Sequence, residues 1–165
     1  MTSFTMTHDL DCDVERFWAL YFDRDFSTKL FRSLEFPRWE IVDERTVGDE
    51  VVRVVEATPK LDVPAAIAKV LGPGFGYREE SRFNRTTKVL VFTVKPNALE
   101  GKLRNEGTVR CEPAGEGRCR RVVEVVAEAK VFGVGGALEK MTEKSYRDGW
   151  GKSAAFINRW VKEHP

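Results

Sequence analysis

Cysteine is scarce in this sequence of 165 residues. The three cysteines, Cys12, Cys111 and Cys119, are odd in number and lack the close paired spacing of a metal or redox motif. Such a set supports neither a disulfide framework nor a zinc site. We therefore expect three small buried or half-buried thiols in a reducing compartment.

Long apolar runs and an excess of charge of one sign are also missing. No stretch approaches the roughly 18 apolar residues of a membrane span, and the N-terminus lacks the basic and apolar regions of a signal peptide. The net charge is +1, and basic residues form no stripe with interleaved aromatics. We expect a soluble, cytoplasmic protein with no nucleic-acid partner and at most transient membrane contact. The sequence leaves the oligomeric state open.

Signatures of the common enzyme classes are absent as well. The sequence has no GxSxG, no HExxH, no phosphate loop and no dinucleotide fingerprint. The glycines at 133–136 are not followed by the Lys-Ser/Thr pair of a phosphate loop. His8 and His164 are the only histidines, so no Ser-His-Asp arrangement can be assembled. We expect a protein without catalysis, metal or cofactor, and a single domain over 1–165.

Hydrophobic periodicity predicts an α+β protein. Alternation of apolar and polar residues indicates seven strands. They are predicted over 3–10, 38–47, 50–58, 77–85, 88–95, 102–112 and 119–132. Apolar residues at helical spacing predict two short helices over 14–21 and 25–34, and a third over 63–71. Eleven Phe and four Trp indicate a bulky core or a cavity lined by rings.

The last predicted element is the only long helix, about seven turns without a proline that follow a flexible entry over residues 132–136. Its apolar face has large residues at both ends and the small residues Ser145, Gly149 and Ser153 in the middle, with Glu139 and Thr142 near its start. Small residues on a buried face are typical of a close approach to a sheet or of space for a ligand. The sequence leaves both interpretations open.

The order of these elements resembles the START-type helix-grip superfamily, also called the polyketide-cyclase and lipid-transport (SRPBCC) group. The Val14/Phe17/Trp18 helix after the first strand, the hairpin-rich middle and the FGVGGALE start of the last helix carry the resemblance, which covers essentially the whole chain. It looks closest to uncharacterised bacterial members. It implies a curved antiparallel sheet wrapped around the long helix, with a deep cavity for lipids, polyketides or other apolar molecules.

Several polar residues share the strand phase that faces this cavity. Arg53 is in phase with Val51 and Val55, and His8, Glu79, Ser81 and Asn105 are placed inward in the same way. A buried charge needs a partner, so we expect Arg53 to pair with Glu79 or Glu139, or to bind an anionic head group. A bulge would instead turn such residues to solvent. The basic cluster of Arg118, Arg120 and Arg121 is interpreted as a solvated rim.

Three hypotheses for function follow. The first is binding or transport of an apolar small molecule between the sheet and the last helix. The second is a cyclase- or aromatase-type enzyme with His8, Tyr77 and Glu139 as acid–base groups. The third is a protein-interaction module with a filled core and 63–71 as its contact patch. The residues expected to line the cavity are Arg53, Tyr77, Glu79, Phe83, Phe92, Asn105, Glu139, Thr142, Ser145, Gly149, Trp150 and Ser153.

Overall fold

A computed structural model describes residues 1–165 as an α+β fold of seven strands and four helices. The strands are β1 Thr2–Leu10, β2 Arg38–Val47, β3 Glu50–Thr58, β4 Tyr77–Asn84, β5 Val89–Pro96, β6 Leu103–Pro113 and β7 Cys119–Ala129. The helices are α1 Val14–Phe22, α2 Arg24–Ser33, α3 Ala65–Leu71 and α4 Gly135–Glu163. The predicted fold class is confirmed, because a curved antiparallel sheet faces a long C-terminal helix, with two short helices after the first strand.

Aspartate side chains cap the N-termini of the first two helices. The Asp13 side chain accepts a hydrogen bond from the Arg16 backbone N–H and starts α1. The Asp23 side chain likewise accepts from the Phe26 N–H and starts α2 immediately afterwards. The two helices follow each other directly and pack together, and α1 also contacts β6.

All seven strands form one antiparallel sheet in the order β1-β7-β6-β5-β4-β3-β2, so β1 and β2 are its edges. Directly paired residues of antiparallel neighbours point to the same face. One such row on the inner face runs Val55, Glu79, Val94, Asn105 and Ala127 from β3 to β7.

The next row along the inner face runs Arg53, Ser81, Phe92, Gly107 and Val125. These two rows form the inner face that the sequence predicted for Arg53, Glu79 and Asn105. The strand phases of those three residues are therefore confirmed.

The helix α4 packs against β1 and β7, at one side of the sheet. Its buried residues are Leu138, Ser153, Ala154, Ile157 and Val161. Aromatic side chains of α1 pack against the inner face of the sheet; the rings of Trp18 and Phe83 lie 4.4 Å apart. Strands β3 to β5 lie further from α4, since each strand adds about 4.8 Å across the sheet.

Some predicted details are wrong. The strand β7 ends at Ala129 rather than at Phe132, which is fully exposed. Ser145 is exposed, although it lies only about 20° around α4 from the buried Leu138; Leu138 is the only buried residue of α4 before Ser153, so this half of the helix is little covered. Arg121 is 2% exposed and does not belong to a solvated rim, whereas Arg118 and Arg120 are exposed as predicted. None of the helices is long and apolar enough to cross a membrane.

Candidate functional site

The strongest candidate site is centred on Glu79, in the middle of the inner face. Glu79 is flanked on β4 by Tyr77 and Ser81, and its neighbours on the adjoining strands are Val55 and Val94. No protein group donates a hydrogen bond to its carboxylate. Burial raises the pKa of Glu79 to about 7, against the opposing effect of the Arg53 charge. Such a carboxyl group can gain or lose a proton near neutral pH.

All three tyrosines of the chain lie close enough to feel the charge of this carboxyl group. Tyr21 comes from α1, Tyr77 from β4 and Tyr146 from α4. Burial raises the pKa of each hydroxyl, and the nearby Glu79 charge raises it further. The Tyr146 ring packs on Phe92 at 6.3 Å. The tyrosine hydroxyls therefore stay protonated and are available as hydrogen-bond donors.

Arg53 is the second ionisable group on this part of the sheet. Its side chain is 3% exposed, and its Nε donates to Glu44 at 2.8 Å. The Nη1 group donates to the Tyr21 carbonyl at 3.3 Å, and the guanidinium lies over the Phe22 ring at 4.9 Å. The Nη2 group has no partner.

The expected partner of Arg53 is therefore corrected from Glu79 or Glu139 to Glu44. The cause is a β-bulge in β2, where the register shifts between Ile41 and Asp43. The inserted Val42 reverses the phase of the residues that follow and places Glu44 directly opposite Arg53. Simple alternation along β2 would have put Glu44 on the outer face.

Glu139 lies elsewhere, at the start of α4. Its carboxylate accepts hydrogen bonds from the Thr2 hydroxyl at 2.9 Å and the Ala129 backbone N–H at 3.0 Å, and it pairs with the N-terminal amine. These contacts, the Ala129 N–H first, lower the pKa of Glu139. Glu139 fastens α4 to the ends of β1 and β7, and it does not join Tyr77 and His8 in an acid–base group.

A second polar cluster surrounds Arg121 on β7. Its Nη2 group contacts the Trp150 carbonyl at 2.8 Å, the Ser153 hydroxyl at 3.0 Å and His8 Nδ1 at 3.2 Å. Burial lowers the pKa of Arg121 to about 10. Burial, followed by the Arg121 charge, lowers the pKa of His8 to about 4. His8 is therefore neutral and accepts a hydrogen bond from the guanidinium.

Sequence analysis missed Arg121, although a signal was present. Arg121 has the same strand phase as Val123, Val125 and Ala127, three apolar residues that are all buried. The three cysteines lie at the same end of the sheet. Cys111 is directly opposite Arg121, and Cys12 and Cys119 are both buried. No group of His, Cys, Asp or Glu residues is placed to hold a metal ion.

The remaining predicted site residues fall into two groups. Phe83, Phe92, Tyr77 and Asn105 lie on the inner face, and Trp150 and Ser153 lie over Arg121. Thr142 donates to the Leu138 carbonyl within α4, and Gly149 is half-buried with open space around the position of a β-carbon. That these residues contact a ligand stays a prediction.

Several solved structures have this architecture. The Zhui aromatase/cyclase from Streptomyces sp. R1128 is 11% identical over 98% of this chain and 93% of that chain, with a TM-score of 0.67. Norcoclaurine synthase from Thalictrum flavum is 17% identical over 99% and 88%, with a TM-score of 0.67. A START superfamily protein from Mycobacterium smegmatis is 10% identical over 96% and 98%, with a TM-score of 0.62. At these identities the likeness concerns the fold.

The protein therefore has the START-like helix-grip fold, as the order of its elements predicted. Within that class, the chain belongs to the family described as a protein of unknown function, DUF2505, which matches residues 5–161. No curated protein sequence matches the chain at a significant level.

Proposed function

We propose that the protein binds an apolar small molecule, of lipid or polyketide-like character, between the inner face of the sheet and α4. The observation that carries the proposal is the setting of Glu79. Its carboxyl group is enclosed enough for burial to dominate its pKa, yet Glu79 is only half-buried and has no protein partner. A side chain enclosed by protein that still contacts solvent is typical of the wall of an internal space.

The surroundings of Glu79 suit such a ligand. Rings of Tyr77, Phe92 and Tyr146 offer apolar contact area, and Glu79 and Asn105 offer a few polar groups that would fix orientation. The open space at Gly149 lies on the α4 flank away from Gly151. These features favour a cavity over the alternative of an interaction module with a filled core.

Admission of the ligand requires a movable segment, for which α3 is suited. Only Ile67 of α3 is buried, and two glycines with left-handed backbone angles, Gly72 and Gly74, follow it. A short helix with so little buried surface opens at low cost in free energy. The start of α4 at Gly133–Gly136, the other expected hinge, is less suited because Gly135 packs tightly against Ala129.

Native mass spectrometry of the purified protein, with organic extraction of bound molecules, tests the proposal. A co-purifying apolar compound supports it. If the protein is free of ligand and gains no thermal stability from a panel of fatty acids, sterols and aromatic polyketides, the proposal is wrong.

A second candidate is an acid–base enzyme of the cyclase type, now with Glu79 in place of His8 and Glu139. The favouring observation is a carboxyl group with a pKa of about 7 beside three tyrosine hydroxyls. Extracts of wild-type protein and of Glu79→Gln, each purified from the expressing cells, separate the two candidates. A carrier would hold the same compound in both, whereas an enzyme would hold product in the wild type and substrate in the variant.

A further inference from the structure

Two arginines are almost completely buried in this protein, and they differ in one respect. Arg53 and Arg121 are each 2% exposed. Arg53 has the Glu44 carboxylate at 2.8 Å, whereas Arg121 forms no ion pair with any carboxylate. The groups that contact Arg121 are a carbonyl, a hydroxyl and a neutral imidazole. Its positive charge is therefore not compensated within the chain.

Burial of an unpaired charge costs several kcal/mol, so a protein that retains one needs a reason. Neutral hydrogen bonds satisfy only part of the guanidinium. All three contacts use Nη2, and the buried Nε has no partner at all. Besides the neutral His8, the titratable groups near Arg121 are the thiols of Cys12, Cys111 and Cys119. An anionic group that accepted from Nε and, once Nη2 leaves the Trp150 carbonyl, from Nη2 on the same edge of the guanidinium would complete both the charge and the hydrogen bonding.

The turn of α4 at residues 149–151 covers the Arg121 side chain, and this turn is the part of α4 that is best suited to move. The Trp150 ring lies over the guanidinium at 4.7 Å, and Trp150 is only half-buried. Glycines stand on both sides of it, at 149 and 151, and neither has an atom within 4 Å of the position of a β-carbon. Glycine weakens a helix by about 1 kcal/mol relative to alanine. This turn of α4 can therefore shift, so that Trp150 uncovers Arg121.

We propose that Arg121 binds the anionic group, a carboxylate or a phosphate monoester, of an amphiphilic ligand whose apolar part occupies the space under α4. The Arg121 guanidinium provides two N–H donors to the anion, and Trp150 moves aside to admit it. This inference rests on the proposed function, because the apolar part of the ligand needs the cavity described above. It adds the chemical class of the head group.

The test compares ligands that share one chain. Calorimetry with the full-length protein would use decanoate, decyl phosphate, decanol and decylamine, together with acetate and inorganic phosphate as anions without a chain. We expect decanoate or decyl phosphate to bind at least about tenfold more tightly than decanol, since a hydrogen bond to a charged group contributes roughly 1.5–3 kcal/mol. Short anions should bind far more weakly.

Substitutions of Arg121 test whether this residue causes the difference in affinity between the anionic compounds and decanol. Arg121→Gln should bring the affinity for the anionic compounds down to that for decanol, and Arg121→Lys should recover part of the difference. The matched control is Arg120→Gln, the exposed neighbour on β7 that pairs with Asp9, and it should behave as the wild type. If Arg121→Gln does not fold, the comparison of decanoate with decanol on the wild-type protein still decides the question of charge.

Each outcome decides one point. Equal binding of decanoate and decanol, or a preference for decylamine, would overturn the Arg121 inference while the cavity proposal stands. Binding of acetate or phosphate through Arg121 without binding of any decyl compound would overturn the cavity proposal and leave only a site for small anions. If no compound and no anion binds, both proposals are wrong.

Discussion

Glu44 holds Arg53 from the adjacent strand, at 2.8 Å between Glu44 Oε2 and Arg53 Nε. The Arg53 side chain is 3% exposed and that of Glu44 is 26% exposed, so the cation of this ion pair is buried and the anion contacts solvent. Because Glu44 neutralises Arg53, the nearby Glu79 carboxyl group is left without a partner and free for a ligand.

Removal of the Glu44 charge should destabilise the fold. We expect Glu44→Gln to lower the free energy of unfolding by about 1–3 kcal/mol, since it leaves Arg53 buried without an anion. The control is Asp43→Asn, which breaks the exposed ion pair with Arg45 on the same strand and should cost less than about 1 kcal/mol. Urea denaturation measures both. Equal effects of the two variants would contradict a buried role for the Arg53–Glu44 pair.

Glu79 should make stability depend on pH. The pKa of Glu79 is about 7 in the folded protein, compared with 4.5 for an ordinary glutamate side chain. At pH values between these two, the folded state holds a proton that the unfolded chain has released. Stability should therefore fall as the pH rises through this window. We expect Glu79→Gln to exceed the wild type by roughly 1–3 kcal/mol at about pH 8, and to equal it at about pH 4.

Denaturation by urea at several pH values measures this difference. Glu80→Gln, on the same strand but exposed on the outer face, is the control and should follow the wild type at every pH. A constant difference between Glu79→Gln and the wild type across the range would show that the carboxyl group does not titrate in this window.

The space at Gly149 should be needed for the ligand. A leucine side chain there would extend into the open region beside α4, and we expect Gly149→Leu to reduce the amount of co-purifying ligand by at least about tenfold. Gly151→Leu is the matched control: it also replaces a helical glycine with open space around it, but on another side of α4. Quantitative mass spectrometry of the extracts measures the result. Equal loss in both variants would point to an effect on α4 as a whole rather than on the space at Gly149.

Replacement of each of two adjacent glycines at the start of α4 by alanine should affect stability differently. A β-carbon at Gly135 would lie 2.4 Å from the Ala129 carbonyl oxygen, whereas one at Gly136 would meet no atom within 4 Å. Gly135→Ala should therefore cost about 1–3 kcal/mol through backbone displacement, and Gly136→Ala should be neutral or stabilise by up to about 1 kcal/mol. Thermal unfolding distinguishes them. If Gly135→Ala is tolerated, the start of α4 is a flexible hinge after all.

Regular alternation allowed most of the fold to be predicted from the sequence. The strand β3 was predicted with its observed bounds, Glu50–Thr58, and Arg53 was placed on the correct face, because β3 has no bulge and its strand phase holds from end to end. The Glu44 contact was not predictable in the same way. It depends on one inserted residue in β2, and a bulge leaves no clear mark in a strand of mostly exposed residues.

Two other errors have different causes. Arg118, Arg120 and Arg121 were interpreted together as a solvated surface because of their charge. The strand phase of Arg121 was the correct indication of its position, and it was not used. Ser145 was assigned to a buried face that was assumed to run the whole length of α4, whereas burial is concentrated at residues 153–161 and only Leu138 is buried before them. In both cases the local pattern was ambiguous, and contacts with distant elements decided the outcome.

The bulge in β2 also affects whether other chains can pair with this edge of the sheet. As an edge strand, β2 presents unpaired backbone groups to solvent, where a strand from another copy could add to the sheet. The inserted Val42 interrupts the regular spacing of these groups, and charged side chains at Asp43 and Arg45 flank it. Strand addition and aggregation at this edge are therefore disfavoured. Deletion of Val42 would restore a regular edge while leaving Asp43 opposite Val54 and Glu44 opposite Arg53, so the inserted residue protects the edge against strand addition and could be removed without loss of the Arg53–Glu44 pair.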